Sequence, residues 1–162
     1  MQDVIVAIKN LKERYPQLID TYRPVRSDVF TEFENYLQCE IDSELKELYS
    51  FSDGLAFLNY VLVSISNKKI GLLIPPHELE ENRLNFMRGL GKRFMVDIHP
   101  NKSRKVWFID EDTSTDIVVA NSIHEFFTKF LMKIDVLFTS FDRKKIVAYF
   151  EDDGMPDGLA RW

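Results

Sequence analysis

A chain of 162 residues, 45% hydrophobic and 29% charged with thirteen Phe, has the size and composition of one globular domain and not of a polar disordered tract. Its formal net charge of −5 opposes binding to nucleic acid or an anionic membrane surface and would attract a basic partner. Cys39 is the only cysteine, so no intramolecular disulfide can form, no run approaches the ~20 apolar residues of a membrane span, and charges interleave Met1 to Tyr15 where a secretory signal would be apolar. A cytoplasmic protein is expected.

Val4, Ile8, Leu11 and Tyr15 recur at helical spacing and predict a first helix, with Asp3 as its cap and Pro16 ending it near Tyr15. A polar connector containing Pro24 leads to a second helix that opens at Ser27 or Asp28. Val29, Phe30, Phe33, Tyr36 and Leu37 form its apolar face, and Glu32, Glu34 and Asn35 lie opposite. A short third helix runs through Leu45, Leu48 and Tyr49, with Asp42 and Glu44 at its positive end and Ser52-Asp53-Gly54 stopping it.

The pattern then becomes extended. Phe57 to Ile65 reads as a strand, Asn67-Lys68-Lys69 as a turn and Ile70 to Ile74 as the return strand of a hairpin. Pro75 and Pro76 can begin a helix through Leu79, Leu84 and Met87. Arg93 to Ile98, Lys105 to Ile109 and Ile117 to Val119 are three further strands whose short connections favour antiparallel pairing. Ser122-Ile123-His124-Glu125 has the form of a capping box, and Phe126, Phe127, Phe130, Leu131 and Ile134 continue it as a helix. Residues 142–150, with Ile146, Val147, Tyr149 and Phe150, suit a helix or a strand. The expected architecture is α+β, a mixed or largely antiparallel sheet flanked by helices. One domain spans residues 1–162, with 1–27 a helical extension and 151–162 an acidic tail.

Chemistry finds little footing. His77, His99 and His124 are far apart and lack metal-ligand spacing, so no metal or other cofactor is expected. Asp116, Ser122 and His124 invite a hydrolase reading, but Ser122 is better explained as the helix cap. Gly89-Leu90-Gly91-Lys92-Arg93 lacks the full phosphate-loop pattern and reads as a turn. Asp110, Asp112, Ser114 and Asp116 alternate like calcium ligands, although Thr115 and Asn121 stand where the loop glycine and terminal glutamate belong. Cys39 reads as a small hydrophobe. Lys102, Arg104 and Lys105 near Trp107 form only a small basic cluster, and Trp107 suits core or interface alike. Two acidic groups, Asp110, Glu111, Asp112 and Asp116, then Glu151, Asp152, Asp153 and Asp157, are either solvated loops or a docking surface for a basic protein, with Trp162 as an added anchor.

Phe33-Glu34-Asn35-Tyr36-Leu37, Ile41 through Tyr49, and Ser52-Asp53-Gly54 resemble the opening signature of the SUKH superfamily, which includes fungal Smi/Knr-type cell-wall regulators and bacterial toxin-immunity proteins. Val119-Ala120-Asn121-Ser122 leading to Phe126 and Leu131 is similar to the family's last strand and Phe-rich helix, so the resemblance frames residues 28–134. Ile41-Asp42 replaces the usual Leu-Pro step, and Leu55 follows Gly54 where a second Gly is common. The resemblance implies a SUKH (Smi/Knr-like) fold and a non-enzymatic protein-binding module. Its expected role is an immunity protein that neutralises a cognate, basic bacterial toxin, a nuclease among the candidates. An intracellular signalling or cell-wall-regulation scaffold and a metal-assisted hydrolase are the alternatives.

Overall fold

The computed structural model describes residues 1–66, 82–89, 91–98, 104–110, 113 and 115–140. The first helix, α1 (Gln2–Arg14), buries Val4, Ile5, Ile8 and Leu11, and closes where the Tyr15 N–H donates to the Leu11 carbonyl at 2.8 Å. Asp3 is not its cap: the helix already begins at Gln2, so Asp3 has helical backbone and sits in the first turn. The connector after it contains an unexpected strand, β1 (Ile19–Thr21), too short to show a period of its own and fixed by pairing Ile19 with Phe57.

Helix α2 (Ser27–Leu37) opens at Ser27 as expected, after Arg26 at the N-cap position, and the Asp28 carboxylate in its first turn accepts the Arg26 Nε–H at 3.0 Å. Gln38 ends it in the left-handed region, at φ 55°. In α3 (Ser43–Phe51) the Asp42 carboxylate accepts the N–H groups of Glu44 (2.7 Å) and Leu45 (3.3 Å), a true N-cap.

Strands β2 (Leu55–Phe57), β3 (Tyr60–Leu62), β4 (Arg83–Gly89), β5 (Lys92–Asp97), β6 (Val106–Asp110) and β7 (Thr115–Ala120) continue from β1 in chain order. Among the described residues they form a seven-stranded sheet in which every neighbouring pair is antiparallel. Two expectations are corrected here. The run from Phe57 to Ile65 is not one strand: Leu58 takes φ 55° and the chain reverses so that Phe57 pairs with Tyr60, a turn that no glycine announces. Leu84 and Met87 lie on β4 and not on a helix. A bulge between Asn85 and Met87 brings Met87 into the same core as Leu84 and Phe86, so the strand imitates helical spacing. The expected turn at 67–69, the return strand at 70–74 and Leu79 fall outside the described residues, as do 142–150 and the acidic tail.

Helix α4 (Ile123–Ser140) lays Phe126, Phe127 and Phe130 on one side of the sheet. Phe126 meets Phe94 at a ring separation of 4.8 Å and Phe86 at 5.3 Å, while Phe130 meets Phe57 at 5.3 Å. Burying each such ring contributes roughly 1.5–3 kcal/mol, and edge-on pairs add to that. Residues 1–27 share this core through Val4, Ile8, Leu11, Ile19 and Val25. No described helix is long and apolar enough to cross a membrane.

Candidate protein-binding surface

Strand alternation divides the sheet into the face under α4 and an opposite face. Cross-strand register sets Arg83 opposite Asp97, Met95 opposite Trp107, Trp107 opposite Val118, and Ile109 opposite Asp116. The far face therefore gathers Arg83, Asp97, Trp107 and Asp116 from four adjacent strands. Arg83 Nη1 donates to Asp116 Oδ2 at 3.0 Å, its Nε lies 3.8 Å from Asp97 Oδ1, and its guanidinium stands 4.0 Å from the centre of the Trp107 ring. Trp107 Nε1–H donates to Asp97 Oδ1 at 3.1 Å. Asp97 is only 5% exposed, and a carboxylate so buried needs the indole N–H and the guanidinium. The result is an oriented tryptophan between charged groups, beside Val118, which is 42% exposed.

Of the acidic residues singled out by charge, the two that are described, Asp110 and Asp116, lie on opposite faces of the sheet. Asp110 pairs with Lys92 at 2.6 Å on the α4 side of the sheet, whereas Asp116 is held by Arg83 on the far side. Glu111, Asp112, Glu151, Asp152, Asp153, Asp157 and Trp162 lie outside the described residues, as do Ser114, His77 and His99. Among the described residues no group of three His, Cys, Asp or Glu side chains could hold a metal ion. The Asp116, Ser122, His124 grouping is not assembled. Ser122 Oγ accepts the Glu125 N–H at 3.0 Å, and the His124 ring bonds to Asp3 at 2.8 Å. Glu125 reaches back one residue further than a standard capping box, to the Asn121 N–H at 2.8 Å. With Lys129, and with the Asn121 amide as well, this lowers its pKa to about 2.

The signature residues are internal ties. Glu34 accepts the Ile41 N–H at 2.8 Å and Lys46 Nζ at 2.6 Å, bracing the α2–α3 connection. Burial pulls its pKa upward, but these two partners outweigh that and hold it below the ordinary value. Buried Tyr49 donates its hydroxyl to the Val63 carbonyl at 2.7 Å, and burial pushes the phenol well above its usual range. Ser52 Oγ accepts the Tyr22 N–H at 2.8 Å and donates to the Gly54 carbonyl at 2.5 Å. Asp53 accepts from Ser64 Oγ and the Ile65 N–H, both at 2.8 Å, and so pins the chain leaving β3. Burial, with Glu34 nearby, raises the Cys39 thiol pKa, against a weaker opposing effect of Arg104, which is the reverse of an activated nucleophile.

Sequence reasoning flagged Trp107 but missed Arg83 and Asp97. Only the strand register shows that these residues, 14 positions apart in number, are direct neighbours. No match is found among the curated proteins. The description of the SMI1 / KNR4 family (SUKH-1) matches residues 24–129, a span from just before α2 to the second turn of α4 that includes β2 through β7. With that match over well more than half of the 162 residues, and with the α+β architecture built on the signature ties above, the chain belongs to the SMI1 / KNR4 family (SUKH-1).

Proposed function

We propose that the protein is a non-enzymatic binding module whose partner is a basic bacterial toxin, and that it acts in the cytoplasm as that toxin's immunity protein. Membership of the SMI1 / KNR4 family supports a protein-binding or immunity-type role. The observation that carries the reading is the Arg83, Asp97, Trp107, Asp116 cluster. It offers an aromatic side chain and an arginine, the residue types that dominate binding hot spots, held rigid on a sheet and flanked by exposed Val118. The net charge of −5 would speed the approach of a cationic toxin, and apolar contact at Trp107 would then hold it over its own substrate site. Asp110, Glu111, Asp112 and Asp116, with the second acidic group from Glu151 to Asp157 and Trp162, belong to the same reading as the source of the attracting field.

The test is co-purification of the tagged protein with the polypeptide encoded beside it, expressed in inactivated form, followed by titration at low and high salt. Tight binding weakened at least tenfold by Trp107→Ala supports the reading. Failure to bind, with the variant and the parent both folded, removes the immunity role and leaves a scaffold.

A further inference from the structure

A cavity of about 660 Å³ opens between the segment that follows β1, the Asp53-Gly54 turn before β2, β3 with the chain that leaves it, and Arg88 of β4, on the sheet face away from α4, and two arginines line it. Arg23 and Arg88 come from distant parts of the chain. Tyr22, Val61, Ser64 and Ser66 complete the part of the wall that matters here. The register sets Arg88 of β4 directly opposite Val61 of β3, which puts its side chain on this face beside the Tyr22-Arg23 segment that follows β1. Among the described residues neither Arg23 nor Arg88 has an ion pair or a side-chain hydrogen bond, whereas Arg14, Arg26, Arg83 and Arg104 are all paired with carboxylates.

Among the described residues of the wall, the one carboxylate is committed elsewhere. Asp53 turns both oxygens to Ser64 Oγ and to the N–H groups of Ile65 and Ser66. That also consumes the Ile65 and Ser66 amides that a phosphate would otherwise use, so the charged donors left to a ligand are the guanidinium forks of Arg23 and Arg88. Such forks match carboxylates in two-point fashion. Tyr22 is 55% exposed and Val61 39% exposed, which gives an apolar rim for a side chain next to the carboxylate.

We propose that this cavity binds an acidic segment of a protein partner, with carboxylates on Arg23 and Arg88 and an apolar or aromatic neighbour against Tyr22 and Val61. The inference rests on the protein-binding reading above and adds to it a site of opposite sign. A positive pocket on a molecule of net charge −5 fixes the register of a docked chain, because a segment presented out of place would bury unpaired arginines.

The experiment uses the full chain and a short fluorescent peptide carrying two glutamates around a phenylalanine, with its glutamine counterpart as the control. Binding of the glutamate peptide, weakened about tenfold or more by Arg88→Gln and by Arg23→Gln but not by Lys9→Gln on α1, supports the proposal. Binding of the glutamine peptide with equal affinity, or indifference to both arginine substitutions, overturns it. Inorganic phosphate displacing the peptide at low concentration, or occupying the site when the peptide does not, would reassign the cavity to free oxyanions and overturn the peptide assignment. The toxin titration keeps the two readings apart. A chain that binds the neighbouring polypeptide but not the peptide retains its proposed function and loses this site. One that binds the peptide alone retains the site and loses the toxin.

Discussion

The carboxylate of Glu44, in the first turn of α3, accepts the backbone N–H of His124 in the first turn of α4, at 2.9 Å across 80 positions of sequence. One acidic side chain thus serves the positive ends of two helices. Glu44→Ala leaves the His124 N–H without this acceptor and should cost about 1–3 kcal/mol in urea unfolding. Glu44→Gln keeps a carbonyl oxygen and should recover a good part of that loss. Equal stability of both variants and the parent would show that the contact contributes nothing.

The far-face cluster predicts energetic coupling. Trp107→Phe removes the indole N–H from Asp97 Oδ1, and Arg83→Met removes the cation above the ring. A double-mutant cycle should return a coupling of roughly 0.5–2 kcal/mol. Additive losses would mean that the two side chains are neighbours without interaction.

Gly89 is required by close approach, not by its backbone angles. A Cβ there would lie 2.2 Å from the Asn59 carbonyl oxygen and 2.9 Å from Tyr60 Cδ1. Gly89→Ala must push the β2–β3 turn away from β4 and should destabilise the protein by about 1–3 kcal/mol, seen as a lowered urea midpoint. An unchanged midpoint would mean that the turn yields freely.

Acid should unfold the protein through identifiable carboxylates. Glu34 and Glu125 are both held below the ordinary glutamate value of about 4.3, Glu125 at about 2. A depressed folded pKa contributes stability that is complete above the unfolded value and is lost as pH falls through the folded one. Thermal melts of Glu125→Gln should therefore lie below the parent at pH 7, and the gap should close from about pH 4.3 towards pH 2. A gap independent of pH would assign the effect to shape and not to charge.

How much of this was legible depends on range. Local signals read well: the placing of Asp42 and Glu44 at the start of α3, the Tyr15 stop and the Ser122 cap act within a few residues of themselves, although the N-cap geometry of Asp42 came only with the structure. β1 escaped because three residues cannot display a period, and Leu84 with Met87 misled because a bulge slips the strand by one residue. At the candidate surface, aromatic character and turn context brought Trp107 and Asp116 to notice. The partners that give them meaning, Arg83 and Asp97, are set by register across β4, β5, β6 and β7. The acidic pair Asp110 and Asp116 looked continuous along the chain, but a strand separates alternate side chains onto opposite faces.

The order of the sheet bears on how the protein is made. Among the described residues each strand is bonded to its neighbours in sequence, so β1 to β7 can zip in the order in which a ribosome extrudes them. The aromatic lid comes last: Phe57, Phe86 and Phe94 wait for Phe126 and Phe130. Until residues 123–138 emerge, the rings of Phe57, Phe86 and Phe94 lack the partners that α4 brings, and the earlier helices α1 to α3, which share the core, are the cover the growing sheet has.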